Sequence, residues 1–371
     1  MPQGKWFRIG YGIIVVLLIA YLASKVDYVF DPIGKVLAAL FVPLLISGLF
    51  YYLFRPFVRL LSVKLPKSLA IVIVYIGAIG VCYLFFLMIW PPIREQSINL
   101  VDNFPQIVDS VRTWLESVQK HEWLREIGQK DALSTENLTT KLTGSLDEIL
   151  NSVVGSVRGI FNLIMNFFFL LGLVPFMIYY LLSEGDKFSG LVLRMIPERY
   201  HSEVSGALKD IDASIGSFIL SKVLTSLLIG GLTSVGYLLI DVPYPLLLGL
   251  IAAITNFIPY IGPLIAFIPT AVVALTVSPT TVLLVGIVLV VSNQIEANVI
   301  GPRIVGKQMN VHPLTVMLLA IGASAIIGPL GMVIVVPVYA IVKIVVVRAY
   351  NFRKMNLIPP KDPLGLDPNG D

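Results

Sequence analysis

Cysteine occurs once in the 371 residues, as Cys82, and histidine three times, as His121, His201 and His312. One thiol inside an apolar run cannot build a disulfide framework, and three remote histidines lack the spacing of a metal site, so no metal and no cofactor is expected. Charge is scarce as well, at 13% of the chain, about half of what a soluble domain carries. That argues against a water-soluble enzyme. The chain also has no Gly-x-Ser-x-Gly elbow, no His-Glu-x-x-His pair and no P-loop ending in Lys-Ser/Thr, so catalysis and ATP-driven transport by this chain find no motif. The formal charge of +4 could suggest nucleic acid, but the Lys and Arg residues are scattered between apolar blocks without interleaved aromatics. They read as topology signals, and no nucleic-acid partner is expected.

What the chain does have is apolar length: 56% hydrophobic residues and a mean hydropathy of +0.86. The expected fold is an all-α polytopic membrane protein, with about six full transmembrane helices plus two re-entrant helical hairpins, or eight spans, and an external amphipathic helical layer. Residues 1–92 hold the first three helices, with apolar blocks near 9–23, 33–54 and 69–90, and Trp6 and Trp90 at interfacial positions. The first block follows Lys5 and Arg8 as a signal peptide would, but it lacks a clean cleavage site and is read as a retained helix. Arg55, Arg59, Lys64 and Lys67, with no acidic residue among residues 51–67, mark a cytoplasmic loop, which makes the N-terminus cytoplasmic too.

Residues 93–158 must then face outward, and there acidic residues outnumber basic ones. Val101, Phe104, Val108, Val111, Leu115 and Val118 recur at helical spacing, and Leu138, Leu142, Leu146, Leu150 and Val153 form a second stripe. These helices either pack on themselves or form an oligomer contact. Residues 159–240 supply the fourth and fifth helices around a cytoplasmic loop at 183–212 that Pro197 breaks. The fifth carries Gly216, Gly230, Gly231 and Gly236, small residues that allow close helix approach in lipid.

Residues 241–350 form the expected transport core, followed by a cytoplasmic tail at 351–371. Two apolar stretches here, 245–276 and 313–347, are too long for one span and too short for two. The first breaks at Asn256-Phe257-Ile258-Pro259-Tyr260-Ile261-Gly262-Pro263 and the second at Gly328-Pro329-Leu330-Gly331. Halves of ~13–16 residues rise only ~20–24 Å, short of the ~30 Å hydrocarbon layer. Hairpins and kinked full spans both fit these lengths. Charge favours hairpins, because eight spans would put Arg303 and Lys307 outside. With two opposed hairpins those residues, Arg348 and the C-terminus all lie in the cytoplasm.

Gly/Pro-interrupted segments point to a solute site, since broken backbone at membrane depth must be buried or line a wet cavity. Between Asp241 and Asp362 the single carboxylate is Glu296. Asn293 stands three residues before it, and Gln294 pairs in register with Asn298, making a polar cluster at a helix end. An intramembrane carboxylate is a functional candidate, and desolvation would favour the protonated form that a proton carrier needs. The plainer alternative is a carboxylate bonded to Arg303 or to hairpin backbone. Asn256, beside carbonyls freed by Pro259 and Pro263, either meets the solute or caps the broken helix. The solute and ion pathway is therefore expected to involve Asn256, Pro259, Gly262, Pro263, Asn293, Gln294, Glu296, Asn298, Gly328 and Gly331.

At these residues the chain resembles the AI-2E family of bacterial membrane proteins. The family's Asn-x-Ile-Pro-x-x-Gly-Pro element matches Asn256, Ile258, Pro259, Gly262 and Pro263, and a second element resembles Gln294-Ile295-Glu296-Ala297-Asn298, with Pro302, Gly306 and His312-Pro313 after it. Family members commonly carry Gly-Gln early in the fifth span, where this chain reads Ser221-Lys222. Lys222 either snorkels to the cytoplasmic interface or adds a charge to the pathway, and with Arg303 it is a candidate for gating or pairing there. The resemblance implies a bacterial inner-membrane secondary transporter that exports a small polar solute such as autoinducer-2, used in quorum sensing, and works as a homopentamer of independently transporting protomers. It also leaves open a Na⁺(Li⁺)/H⁺ antiporter. A non-transporting membrane scaffold is the alternative from another class. Partners are thus a small polar solute or monovalent cation, the lipid bilayer and further copies of the chain.

Overall fold

The structure is a computed structural model that describes residues 27–119, 172–300 and 312–357, with scattered helical positions between 10 and 21. Among the described residues all regular structure is helical, as lipid requires of a chain that must satisfy its own backbone. The helices are α1 (Asp27–Ser62), α2 (Lys67–Met88), α3 (Trp90–Asp102), α4 (Phe104–Gln119), α5 (172–194), α6 (His201–Leu239), α7 (Pro245–Thr255), α8 (Gly262–Leu275), α9 (Pro279–Ile295), α10 (Pro313–Ile327) and α11 (Pro329–Leu357). Proline sets many of the starts: α3, α7, α8, α9 and α10 carry it in the first two positions, where its missing N–H has no partner to lose. Among the described residues, five helical stretches are long and apolar enough to cross a membrane: residues 34–62, 67–88, 198–239, 279–298 and 329–352. About half of the first expected span, most of the fourth, the second amphipathic stripe, Arg303 and Lys307 lie outside the described residues.

Helix α6 is the spine. Its 39 residues rise roughly 58 Å and touch α1, α7, α9 and α11. Glycine sets how closely two of these partners approach. A Cβ on Gly249 of α7 would stand 2.7 Å from the Gly230 carbonyl oxygen and run into Ser234 Oγ, while one on Gly236 would strike Val288 of α9. Gly216 lies against the Tyr52 ring of α1, but Gly231 faces open space, so only part of the glycine set expected to pack does so.

The first broken segment is an antiparallel pair of short helices. Leu247 and Leu248 near the start of α7 cluster with Val272, Val273 and Ala274 at the end of α8, and Ala252 and Ala266 cluster nearer the turn. At 11 and 14 residues they rise about 16 and 21 Å, each short of the hydrocarbon layer. The reversal is tight enough that a Cβ on Gly262 would collide with the Thr255 carbonyl.

The second broken segment is also antiparallel, with Val316 and Ala320 of α10 packed with Val335 and Val336 of α11. Here the expected limb lengths need correction. The second limb, α11, has 29 residues and runs through residues assigned to the tail. The expected four-residue break is also reduced to Gly328, at φ 70°, because Pro329 already opens α11 and Gly331 lies inside it against the Ala323 carbonyl. Glycine alone takes that φ without strain.

The two pairs enter the α6 spine from opposite ends. At one end, α3 and α4 cover the connection from α6 to α7: Ile93, Leu100, Ile107 and Val111 join Tyr237, Val242 and Leu247 in one core. Gln96 Oε1 accepts from Leu247 N at 3.0 Å, and the Tyr244 hydroxyl accepts from Asn103 Nδ2 at 3.1 Å, so this layer caps the start of α7. The amphipathic register shifts where Asn103 interrupts the helix: Val101, expected inside, is exposed, and Ile107 is buried instead.

At the other end, charged residues expected in loops continue the helices. Arg55 on α1 donates to both Asp212 oxygens of α6 at 2.7 Å, and Arg348 on α11 donates to Asp210 at 2.5 Å. Charge placed these residues beyond the membrane, but charge does not end a helix. The run between α5 and α6 is interrupted at residues 195–200, around Pro197.

Candidate functional site

On α6 the charged residues Glu203, Lys209, Asp210 and Asp212 crowd one end, and Lys222 stands ten positions past the last of them, roughly 15 Å farther in. It does not snorkel back. Its ammonium donates to the Asn256 backbone carbonyl at 2.9 Å and lies 3.9 Å from Glu296 Oε1, the two side chains being 17% and 18% exposed. Asn256 itself is buried, and its Nδ2 reaches Ser226 Oγ at 3.4 Å and Glu296 Oε1 at 3.5 Å. Three elements thus bring an ammonium, a carboxylate, an amide and a hydroxyl to one place.

Local sequence explains each position. Ser226 is four residues after Lys222 and shares its helix face, a relation visible in the sequence once Lys222 is taken as a site residue. The Asn256 carbonyl is open because Pro259, three residues on, has no N–H and Tyr260 adopts φ 64°. Ile258 N and Gly262 N are used within the turn, on Thr255 and Ile258 carbonyls. Glu296 opens a π-helical turn, Glu296–Ile300, that follows α9. Such widened turns occur frequently at functional sites.

The structure brings only some of the expected pathway residues together. Asn256, Glu296 and Lys222 meet, framed by the turn containing Pro259, Gly262 and Pro263. Asn293 instead spends its amide on the Leu289 carbonyl of its own helix at 2.7 Å. Gln294 and Asn298 bond each other at 2.7 Å on an exposed face, the expected i,i+4 pair apart from the ion pair. Gly328 and Gly331 shape the second reversal, and that pair meets the first through Ile261, which packs with Ala323 and Met332 beside Phe218 of α6. Phe218 and Ile261 carry no polar signal, and sequence reading missed both. Arg303 lies outside the described residues, so the carboxylate's partner in view is Lys222.

This arrangement can hold a small polar or charged group at a junction of broken helices, with its charges already balanced. A carboxylate taken out of water needs such a partner, because burying it alone costs several kcal/mol.

A family model described as AI-2E family transporter matches residues 12–351 of the chain. Among similar proteins, one from Bacillus subtilis (strain 168), provisionally named transport protein YueF, is 34% identical over 331 residues, 89% of this chain and 90% of that protein. A second from the same organism, provisionally named transport protein YrrI, is 28% identical over 92% of this chain and 95% of its own. The provisionally named permease PerM of Escherichia coli (strain K12) is 26% identical over 83% and 87%. With a family match over nearly its whole length and a relative of this identity and coverage, the chain belongs to the AI-2E family of transporters.

Proposed function

We propose that this chain is a secondary transporter that exports a small polar solute, with autoinducer-2 as the candidate, in exchange for movement of an ion down its gradient. The observation that carries the reading is the Lys222–Glu296 pair set on the carbonyl of a helix break, where two antiparallel helix pairs meet from opposite ends of α6. Half-helix ends and freed carbonyls at a repeat-like junction suit a solute site. In this reading both pairs are re-entrant hairpins, both termini face the cytoplasm of the bacterial inner membrane, and the hairpin-bearing part moves against a scaffold containing α1 and α2. Glu296 is the proton carrier, exchanging its partnership with Lys222 for a proton. The assembly is a homopentamer.

Reconstituted vesicles test the proposal. Outward-driven autoinducer-2 flux that falls on Glu296→Gln supports it. Collapse of a pH gradient on adding Na⁺ or Li⁺, without solute flux, would instead identify an antiporter. Neither signal from protein shown to be folded would leave a scaffold and refute transport.

A further inference from the structure

Lys222 does more than balance a charge. Its Nζ stands 2.9 Å from a backbone carbonyl oxygen and 3.9 Å from a carboxylate oxygen, a position from which a dehydrated monovalent cation would touch the carbonyl and draw the carboxylate in to complete its contacts, with the Ser226 hydroxyl joined to the same asparagine. These ligands are all oxygens, the donor set of hard cations. The carbonyl is spare for a stated reason: Pro259 has no N–H, the left-handed Tyr260 ends the helical pattern, and none of the turn's backbone bonds uses the Asn256 oxygen. The lysine is therefore aimed at an acceptor that the fold leaves open.

We infer that Lys222 is a tethered counter-cation, whose ammonium fills a monovalent-cation site made by the Asn256 carbonyl and the Glu296 carboxylate. The native chain consequently holds no free Na⁺ or K⁺ there, and truncating the lysine opens the site to one. With the ammonium gone, Glu296 keeps its burial and its Asn256 contact but loses its counter-charge among the described residues, and it recovers a cation or a proton. The inference deepens the transport reading by giving its site a charge state. It is measured as ion binding, so failure of solute flux would leave it standing.

The test is equilibrium binding of ²²Na⁺, and of ⁸⁶Rb⁺ as the K⁺ congener, to the purified full-length protein in detergent at alkaline pH, where proton uptake by the orphaned carboxylate is disfavoured. Lys222→Ala is expected to bind one of the ions saturably, approaching about one per chain, while the native protein and Lys222→Arg bind neither. The double variant Lys222→Ala/Glu296→Gln should lose the gained binding. If Lys222→Ala does not elute as a monodisperse species, Lys222→Ser is read in the same way. Saturable binding by the native protein equal to that of the truncated variants would overturn the inference. So would a monodisperse truncation variant that binds neither ion.

Discussion

Replacing Lys222 with Met and Glu296 with Gln, singly and together, tests whether the two charges are energetically one unit. At 3.9 Å, with both side chains under a fifth exposed, the attraction is about 4 kcal/mol at an effective dielectric of ~20. That figure is not the pair's net worth, because both charges were desolvated to make it. Each single substitution leaves one charge buried without its partner and should cost about 3–5 kcal/mol. The double variant removes both desolvation penalties and should cost less than either single, which makes the coupling energy at least about 3 kcal/mol. The assay is unfolding of the purified protein in mixed micelles, followed by tryptophan fluorescence. Choline replaces Na⁺ and K⁺ so that no free cation substitutes for the lysine. Single costs that add within ~0.5 kcal/mol in the double variant would refute the coupling, and with it the view of Lys222 as the counter-charge of Glu296.

Two further predictions come from packing and from surface charge. Gly249→Ala puts a methyl group 2.7 Å from the Gly230 carbonyl oxygen, which can yield only if α6 and α7 separate, and it should destabilise by about 1–3 kcal/mol. Gly231→Ala, in open space, should stay within ~0.5 kcal/mol in the same assay, and equal effects would discount the close approach. Asp186 accepts from Lys67 Nζ at 2.9 Å, and this hydrogen bond holds its carboxyl below the ordinary 3.8. A carboxylate whose folded value is lowered adds stability above its unfolded value, and that contribution is lost as pH falls through the folded one. Lys67→Met should accordingly lower stability at neutral pH and flatten its fall below about pH 4, so that the two curves converge in acid; coincident curves across the whole range would show the bond contributes nothing.

The sequence by itself determined the helical, membrane-spanning class, because apolar runs without charge have one way to satisfy their backbone in lipid. It also determined where helices start, through proline, and that α7 and α8 are too short to cross. Asn256 and Glu296 were legible as well, as polar groups in otherwise apolar surroundings. These signals are local: hydropathy, a missing N–H and an i,i+4 spacing each lie within a few residues. The tertiary structure alone decided that Lys222 turns inward to an asparagine carbonyl, that Asn293 does not join Glu296, and that Ile261 bridges the two reversals. It also decided that α11 runs on past its expected end to pair Arg348 with Asp210. Such contacts depend on how closely and at what level helices cross. Gly249, Gly230 and Gly236 control that through backbone approach, and no short window of sequence records which helix will come to fill the space.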